Sequence, residues 1–182
     1  MFVHSEKQLE ALGQKLGRKI LKSRVRSPAT SDQLSATVFA LVGELGAGKT
    51  TFLRGFAKGL GIKAHITSPT FVLARRHPIQ RVHSQKAGAK RKSQKTIGSV
   101  LRTLPFRYFW HIDAYRLRNE RDLASINFQE IISNPHIIVA IEWADRVRKA
   151  IPRGAVWITF MHHKNGRKVI FLKNKLPISK LQ

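Results

Sequence analysis

The feature that most constrains this chain is the run Gly43-Glu44-Leu45-Gly46-Ala47-Gly48-Lys49-Thr50, which satisfies the pattern G-x-x-x-x-G-K-[ST]. An apolar run over residues 36–42 precedes it, and a segment with helical spacing of apolar residues over 50–60 follows it. The eight residues therefore connect a buried strand to an amphipathic helix, which is the context in which this pattern is typical of a phosphate-binding loop. The glycines let successive N–H groups face one anion, and the helix N-terminus adds its positive end.

This loop predicts a nucleotide site with specific roles for its last residues. Lys49 is expected to reach the β- and γ-phosphate oxygens, and the Thr50 hydroxyl is expected to ligate magnesium. The residues expected to bind the nucleotide are Gly43, Glu44, Leu45, Gly46, Ala47, Gly48, Lys49, Thr50 and Thr51.

Two carboxylates follow apolar, strand-like runs elsewhere in the chain: Asp113 and Glu142. Acids are scarce, with 10 Asp and Glu against 34 Lys and Arg. A phosphate-binding loop needs a second group to hold magnesium, and the C-terminal ends of parallel strands are where ligands collect. We expect one of them to hold magnesium or its waters: Glu142 is the first candidate and Asp113 is the other. The structural alternatives are a salt-bridged strand end for Glu142, and a helix cap or an Arg116 partner for Asp113.

The remaining patterns predict alternating strands and helices. The predicted helices cover residues 6–21, 50–60 and 120–132, with a loop over 22–34. The predicted strands cover residues 36–42, 64–67, 107–115 and 137–141, with a further extended stretch at 71–73 and a hairpin of 156–162 and 167–172 around Asn165-Gly166. This order predicts one α/β domain over residues 1–182, a P-loop NTPase-like three-layer sandwich with a mainly parallel sheet and a C-terminal antiparallel hairpin.

The charge distribution adds a second prediction. The formal net charge is +24, and residues 75–107 carry ten Lys and Arg without an acid. This stretch is predicted to be a flexible basic insert that either contacts RNA phosphates or is a solvated loop. The composition favours a polyanion partner, with RNA before an anionic membrane. The chain has no cysteine, which excludes disulfides and thiolate chemistry, and no apolar run long enough to cross a bilayer. We therefore expect a cytoplasmic protein.

Four motifs in order resemble the TsaE (YjeE) family. They are Leu41 to Phe52, which contains the glycine loop, then Ser68-Pro69-Thr70-Phe71, then His111-Ile112-Asp113-Ala114-Tyr115-Arg116-Leu117, then Ile141-Glu142-Trp143. The resemblance implies a magnesium-dependent ATPase that works with TsaB and TsaD in making threonylcarbamoyladenosine in tRNA.

The resemblance also implies individual roles. Thr70 would sense the γ-phosphate, Asp113 would serve hydrolysis and Glu142 would serve magnesium binding. Trp143 matches the Trp of the Ile-Glu-Trp motif, with core packing as the alternative. The sequence departs from the family at Glu44, where Asp is common, at Asn127, where glycine is usual, and in added stretches at residues 23–35 and 75–107.

From these motifs and the resemblance we expect a magnesium-dependent ATP hydrolase acting in tRNA modification, with Lys49, Asp113 and Glu142 as catalytic residues. Arg116 is a candidate for stabilising charge. Two alternatives stay open. One is a small nucleoside or nucleotide kinase, with Arg75, Arg76 and Arg81 as lid residues, and the other is an RNA-binding protein that uses the basic insert.

Overall fold

The computed structural model describes residues 1–26, 35–69, 71–80 and 106–172. Its strands are β1 (Phe2–Val3), β2 (Thr37–Gly43), β3 (Ala74–Pro78), β4 (Tyr108–Asp113), β5 (Ile137–Glu142), β6 (Val156–His163) and β7 (Gly166–Leu172). The α-helices are α1 (Glu6–Arg26), α2 (Lys49–Gly59) and α3 (Phe128–Ser133), and two 3-10 helices cover Glu120–Ile126 and Ala144–Ala150.

One sheet contains all seven of these strands, in the order β1-β7-β6-β2-β5-β4-β3. The four central strands β6, β2, β5 and β4 are parallel, whereas β1, β7 and β3 pair antiparallel with their neighbours. The predicted α/β class and the C-terminal hairpin are thus confirmed. The sheet is mixed, because its parallel part is limited to these central strands.

Side chains of β2 alternate between two cores, one on each face of the sheet. Phe39 and Leu41 pack with the apolar sides of α1 and α2, while Val38 and Ala40 pack with α3 and the 3-10 helices. The central strand is buried on both faces, which is why it appears in the sequence as a continuous apolar run. Helices on both faces of one sheet give the predicted three layers.

Helices α1 and α2 approach closely through glycines on both. A Cβ placed on Gly55 would lie 1.8 Å from the Glu10 carbonyl oxygen, and one on Gly13 would lie 2.1 Å from the Phe52 carbonyl oxygen. The backbones touch at these points, so no side chain fits between them. This contact holds α2, and with it the preceding glycine loop, against the N-terminal helix.

Gly55→Ala is therefore expected to destabilise the fold by roughly 1–3 kcal/mol or more, because the added methyl forces the helices apart. The matched control is Gly154→Ala, since a Cβ there meets nothing within 4 Å. Urea unfolding of both variants measures the difference. Equal stability of the two variants would show that the close packing of the helices is not required.

Several predicted boundaries are wrong. Residues 64–67 and 71–73 form no strand, and β3 begins at Ala74, inside the predicted basic insert. Arg75 and Arg76 are exposed on this edge strand, and backbone pairing with β4 overrides their low strand propensity. Helix α1 continues through Arg26 into the predicted loop.

The predicted helix over 120–132 is interrupted at Asn127. This residue has a left-handed backbone (φ 52°), which separates the 3-10 helix from α3. Glycine and asparagine tolerate that conformation best, so Asn127 suits a position where the resemblance expects glycine.

Three other predictions fall wholly or partly on residues outside the described ones: Thr70, the rest of the first added stretch (27–34) and most of the basic insert (81–105). Among the described helices, none is long and apolar enough to cross a membrane.

Candidate nucleotide-binding site

The glycine loop leaves β2 and enters α2 through backbone that requires glycine. Gly43, Gly46 and Gly48 all have positive φ angles, of 144°, 74° and 99°. A Cβ on Gly43 would lie 2.3 Å from the Phe160 carbonyl oxygen, and no side chain of the described residues caps the start of α2 at Gly48. The first N–H groups of α2 have no acceptor within the helix and no side-chain cap from the described residues. N–H groups in this position at a helix N-terminus bind anions.

Lys49 is the first residue of α2 and is only 5% exposed. Its Nζ donates hydrogen bonds to the carbonyl oxygens of Gly43 (2.7 Å) and Glu44 (2.8 Å) and lies 3.8 Å from the centre of the Trp143 ring. Burial lowers the pKa of Lys49, and the nearby carboxylates of Glu142, Asp113 and Asp145 oppose this shift. A phosphate here would offer the ammonium a charged partner in place of neutral acceptors and would favour its charged form.

Thr50 and Glu142 meet across the cleft. The Thr50 hydroxyl lies 2.9 Å from each carboxylate oxygen of Glu142, and the His111 Nε2 lies 2.8 Å from Oε1. Glu142 and His111 are both buried, and an ionised carboxylate accepts a hydrogen bond from a protonated Nε2. This geometry fixes the Glu142 side chain beside the glycine loop.

Asp113 ends β4 directly opposite Glu142, which ends β5. It is 3% exposed and accepts hydrogen bonds from the Ser68 hydroxyl and from the Tyr115 backbone N–H, the latter at 3.0 Å. Its carboxylate is therefore oriented by two different segments of the chain. Arg116 instead places its guanidinium 4.6 Å from the centre of the Phe71 ring.

These residues surround one open cleft of about 500 Å³. The described residues that line it are Glu6, Leu45, Gly46, Gly48, Lys49, Thr50, Thr51, Ser68, Asp113, Tyr115, Glu142, Trp143 and Arg167. Sequence reasoning singled out most of them. Gly43 and Glu44 contribute backbone carbonyls to Lys49, and Ala47 is buried beneath the loop.

Other predicted residues lie away from the cleft or carry two roles. Arg75, Arg76 and Arg116 are not among the described lining residues, and the Arg76 guanidinium lies 4.7 Å from the centre of the Tyr108 ring. Of the three lid residues of the kinase alternative, Arg75 and Arg76 lie on β3 away from the cleft, and Arg81 lies outside the described residues. Trp143 both packs against the second core and lines the cleft.

Sequence reasoning gave no role to His111, Glu6 or Arg167. The signal for His111 was its position two residues before Asp113, because alternate residues of a strand share a face. Glu6 and Arg167 lie near the two ends of the chain and carry no motif. Only the pairing of β1 and β7 beside β6 brings them to the cleft.

Oxygen donors for a divalent cation are present in the Thr50 hydroxyl and the Glu142 carboxylate. The described residues contain no cluster of three or more His, Cys, Asp or Glu side chains that could hold a metal ion. One hydroxyl and one carboxylate suit magnesium, which usually keeps several waters and shares substrate phosphates. The residues present therefore fit this ion when it arrives with a nucleotide.

A glycine loop between a central parallel strand and a helix, with strand-end carboxylates beside it, defines the P-loop NTPase-like class of α/β protein. The family model described as "Threonylcarbamoyl adenosine biosynthesis protein TsaE" matches residues 3–87 and 92–170 of this chain. The chain belongs to the TsaE family. The match breaks only between residues 87 and 92, inside the predicted basic insert.

Two relatives named tRNA threonylcarbamoyladenosine biosynthesis protein TsaE illustrate the similarity. The one from Treponema pallidum is 33% identical over 134 residues, which cover 74% of this chain and 79% of the relative. The one from Borreliella burgdorferi is 30% identical over 133 residues, which cover 72% and 78%. The crystal structure of YdiB from Bacillus subtilis shares the fold, with a TM-score of 0.57, 19% identity and coverage of 94% of this chain and 82% of that one.

Proposed function

We propose that this protein binds ATP with magnesium in the cleft, hydrolyses it, and acts in this way in the threonylcarbamoyladenosine modification of tRNA. The observation that carries the proposal is the convergence of Lys49, Thr50, Asp113 and Glu142 on one cleft at the N-terminus of α2. Membership of the TsaE family supports the role in threonylcarbamoyladenosine synthesis, and the positions of these four side chains support ATP binding and hydrolysis.

Phosphate binding rests on the loop and on Lys49. Backbone N–H groups at the end of the glycine loop and the start of α2 would donate to the phosphates, and the Lys49 ammonium would exchange its carbonyl acceptors for β- and γ-phosphate oxygens. Thr50 and Glu142 would hold magnesium, which would supply positive charge to neutralise the phosphates. His111 is a positioning residue, because its hydrogen bond fixes the Glu142 carboxylate.

Hydrolysis needs a water in line with the γ-phosphate. We assign the orientation of this water to Asp113, because its buried carboxylate lines the cleft at the end of β4, the strand next to that of Glu142. Ser68 and the Tyr115 N–H hold this carboxylate in place. Thr70 lies outside the described residues and stays a proposed γ-phosphate sensor on the resemblance alone.

The requirement for magnesium gives a direct test of the proposed ATP hydrolysis. Hydrolysis of ATP by the purified protein is expected to stop when magnesium is removed with EDTA and to return when it is restored. Glu142→Gln keeps the shape of the side chain but removes its charge, so the magnesium concentration needed for half-maximal activity is expected to rise about tenfold or more. Phosphate release across a magnesium titration measures this. Hydrolysis that persists in EDTA would contradict the proposal.

We also propose TsaD and TsaB homologues as partners, and tRNA as a contact made directly or through that complex. The support is the family and the names of its relatives, which concern threonylcarbamoyladenosine biosynthesis. Pull-down with both homologues, with and without ATP, tests this, and failure to capture either under both conditions would contradict it.

A further inference from the structure

A second cavity, which we call the edge pocket, lies between β4 and α3 and has a volume of about 300 Å³. None of its described lining residues also lines the nucleotide cleft. Tyr108 and Ile137, the first residues of β4 and β5, line the edge pocket, whereas Asp113 and Glu142, the last residues of these strands, line the cleft. At about 3.3 Å per residue the two ends of β4 are roughly 16 Å apart, so the edge pocket is a separate site.

One wall of the edge pocket is aromatic and carries a cation. Tyr108 and Trp110 are alternate residues of β4 and share a face of the sheet, and Arg76 lies opposite Trp110 on β3. The Arg76 guanidinium lies 4.7 Å from the centre of the Tyr108 ring, and Arg76 is exposed. A planar cation that rests on a ring in this way presents its outer side as a stacking surface for a planar ligand.

The opposite wall of the edge pocket is polar. Asn127 and Asn134 flank α3, and both are exposed. Asn127 has a left-handed backbone (φ 52°), which glycine adopts at lower cost, and its side chain does not cap α3. The Asn134 Oδ1 accepts a hydrogen bond from the His136 N–H at 2.9 Å, which leaves its NH2 group as a donor. These amides, with the Glu130 carboxylate between them as an acceptor, match the mixed donors and acceptors of a nucleobase edge.

The charge around the edge pocket favours an anionic polymer. Strand β3 ends at Pro78, which pairs with Tyr108 at the start of β4. The sequence that connects these strands, residues 79–107, contains eight Lys and Arg and no Asp or Glu. A stacking surface alone would suit many planar ligands. Together with this charge it favours a ligand that combines bases with phosphates, which is a single-stranded nucleic acid.

We propose that the edge pocket binds one unpaired nucleotide of RNA, with its base stacked on the Arg76 guanidinium and hydrogen-bonded by the amides of Asn127 and Asn134. Unpaired RNA bases are bound in this manner, by stacking on rings or guanidinium planes and by hydrogen bonds to their edges. RNA rather than DNA follows from membership of a family whose relatives are named for tRNA modification. The inference rests on the direct RNA contact of the proposed function and assigns that contact to a surface separate from the ATP site.

Arg76→Lys separates stacking from charge, because lysine keeps the charge but has no planar group. The probe is a fluorescently labelled single-stranded RNA of mixed sequence and about 12 nucleotides, a length within the range that such sites cover. Its dissociation constant is expected to rise roughly 5- to 100-fold, the loss expected for one stacked base. The salt dependence of binding is expected to stay the same, since no charge is removed. Fluorescence anisotropy across a salt series measures both quantities.

Asn127→Gly tests the polar wall without disturbing the backbone. Glycine suits the left-handed conformation, so the melting temperature is not expected to fall, whereas RNA affinity is expected to fall about three- to tenfold with the amide gone. The matched control is Arg75→Lys, the same change at the preceding residue of β3. Arg75 is exposed, points to the other face of the strand and does not line the edge pocket, so RNA affinity is expected to stay within about twofold.

Four results would overturn the inference. They are equal RNA affinity of Arg76→Lys and the unaltered chain, equal binding of the single-stranded RNA and its duplex, failure of the unaltered chain to bind the RNA, and losses of affinity that accompany a large fall in melting temperature in both variants. Capture of TsaD and TsaB homologues that is lost in Arg76→Lys, with RNA affinity unchanged, would assign the edge pocket to a protein partner instead. ATP hydrolysis is expected to stay within about twofold in both variants. Its absence from the unaltered chain would overturn the proposed ATPase function independently of the RNA result.

Discussion

Lys49→Ala is expected to abolish ATP binding, with the dissociation constant raised about 100-fold or more. The ammonium is buried at the N-terminus of α2, where it donates to two backbone carbonyl oxygens and lies on the face of Trp143. Because the ammonium is buried, its charge attracts a phosphate more strongly than it would at the surface, and alanine leaves nothing to replace it. Equilibrium titration with ATP and with ADP measures the loss.

The control for this variant is Lys63→Ala, which removes the same charge from an exposed position outside the cleft. Its affinity for ATP is expected to match that of the unaltered protein within about twofold. Near-normal ATP binding by the Lys49 variant would contradict the assignment of the loop as the phosphate site.

Asp113→Ala is expected to separate binding from turnover. The carboxylate is positioned by Ser68 and the Tyr115 N–H, and it has no expected contact with the phosphates, so ATP affinity should change by about threefold at most. The rate of hydrolysis should fall roughly 100-fold or more, because a water-positioning acid typically contributes that much. Single-turnover hydrolysis at saturating ATP, together with equilibrium binding, measures the two effects separately.

Asp113→Asn and Asp145→Ala complete this experiment. Asparagine keeps the shape of the side chain and a hydrogen-bonding oxygen. The loss of turnover expected in this variant therefore comes from the missing charge and not from altered packing. Asp145 is exposed and lies near enough to interact with Lys49, so its replacement changes the local charge equally but should leave turnover within about twofold. Normal hydrolysis by either Asp113 variant would show that its proposed role is wrong.

The elements that the sequence predicts well are those whose pattern is set by burial. Strands β2 and β5 are apolar over residues 38–41 and 137–141 because both faces are covered there, and the hairpin of β6 and β7 is marked by Asn165-Gly166. Strand β3 lacks such a pattern, because its residues Ala-Arg-Arg-His-Pro lie at an edge and only His77 and part of Ala74 are covered. Strand β3 forms because its backbone pairs with β4, and no local sequence pattern reveals this pairing.

By itself, the sequence determined the glycine loop and the two strand-end carboxylates. These features are local: positive φ angles require glycine, a helix start follows at once, and buried parallel strands end in the acids. The tertiary structure alone decided which distant residues share the cleft. Arg167 and the Gly46 carbonyl are 121 residues apart, and Thr50 and Glu142 are 92 apart. Contacts over such separations are set by the order of strands in the sheet, because that order decides which strand ends lie side by side.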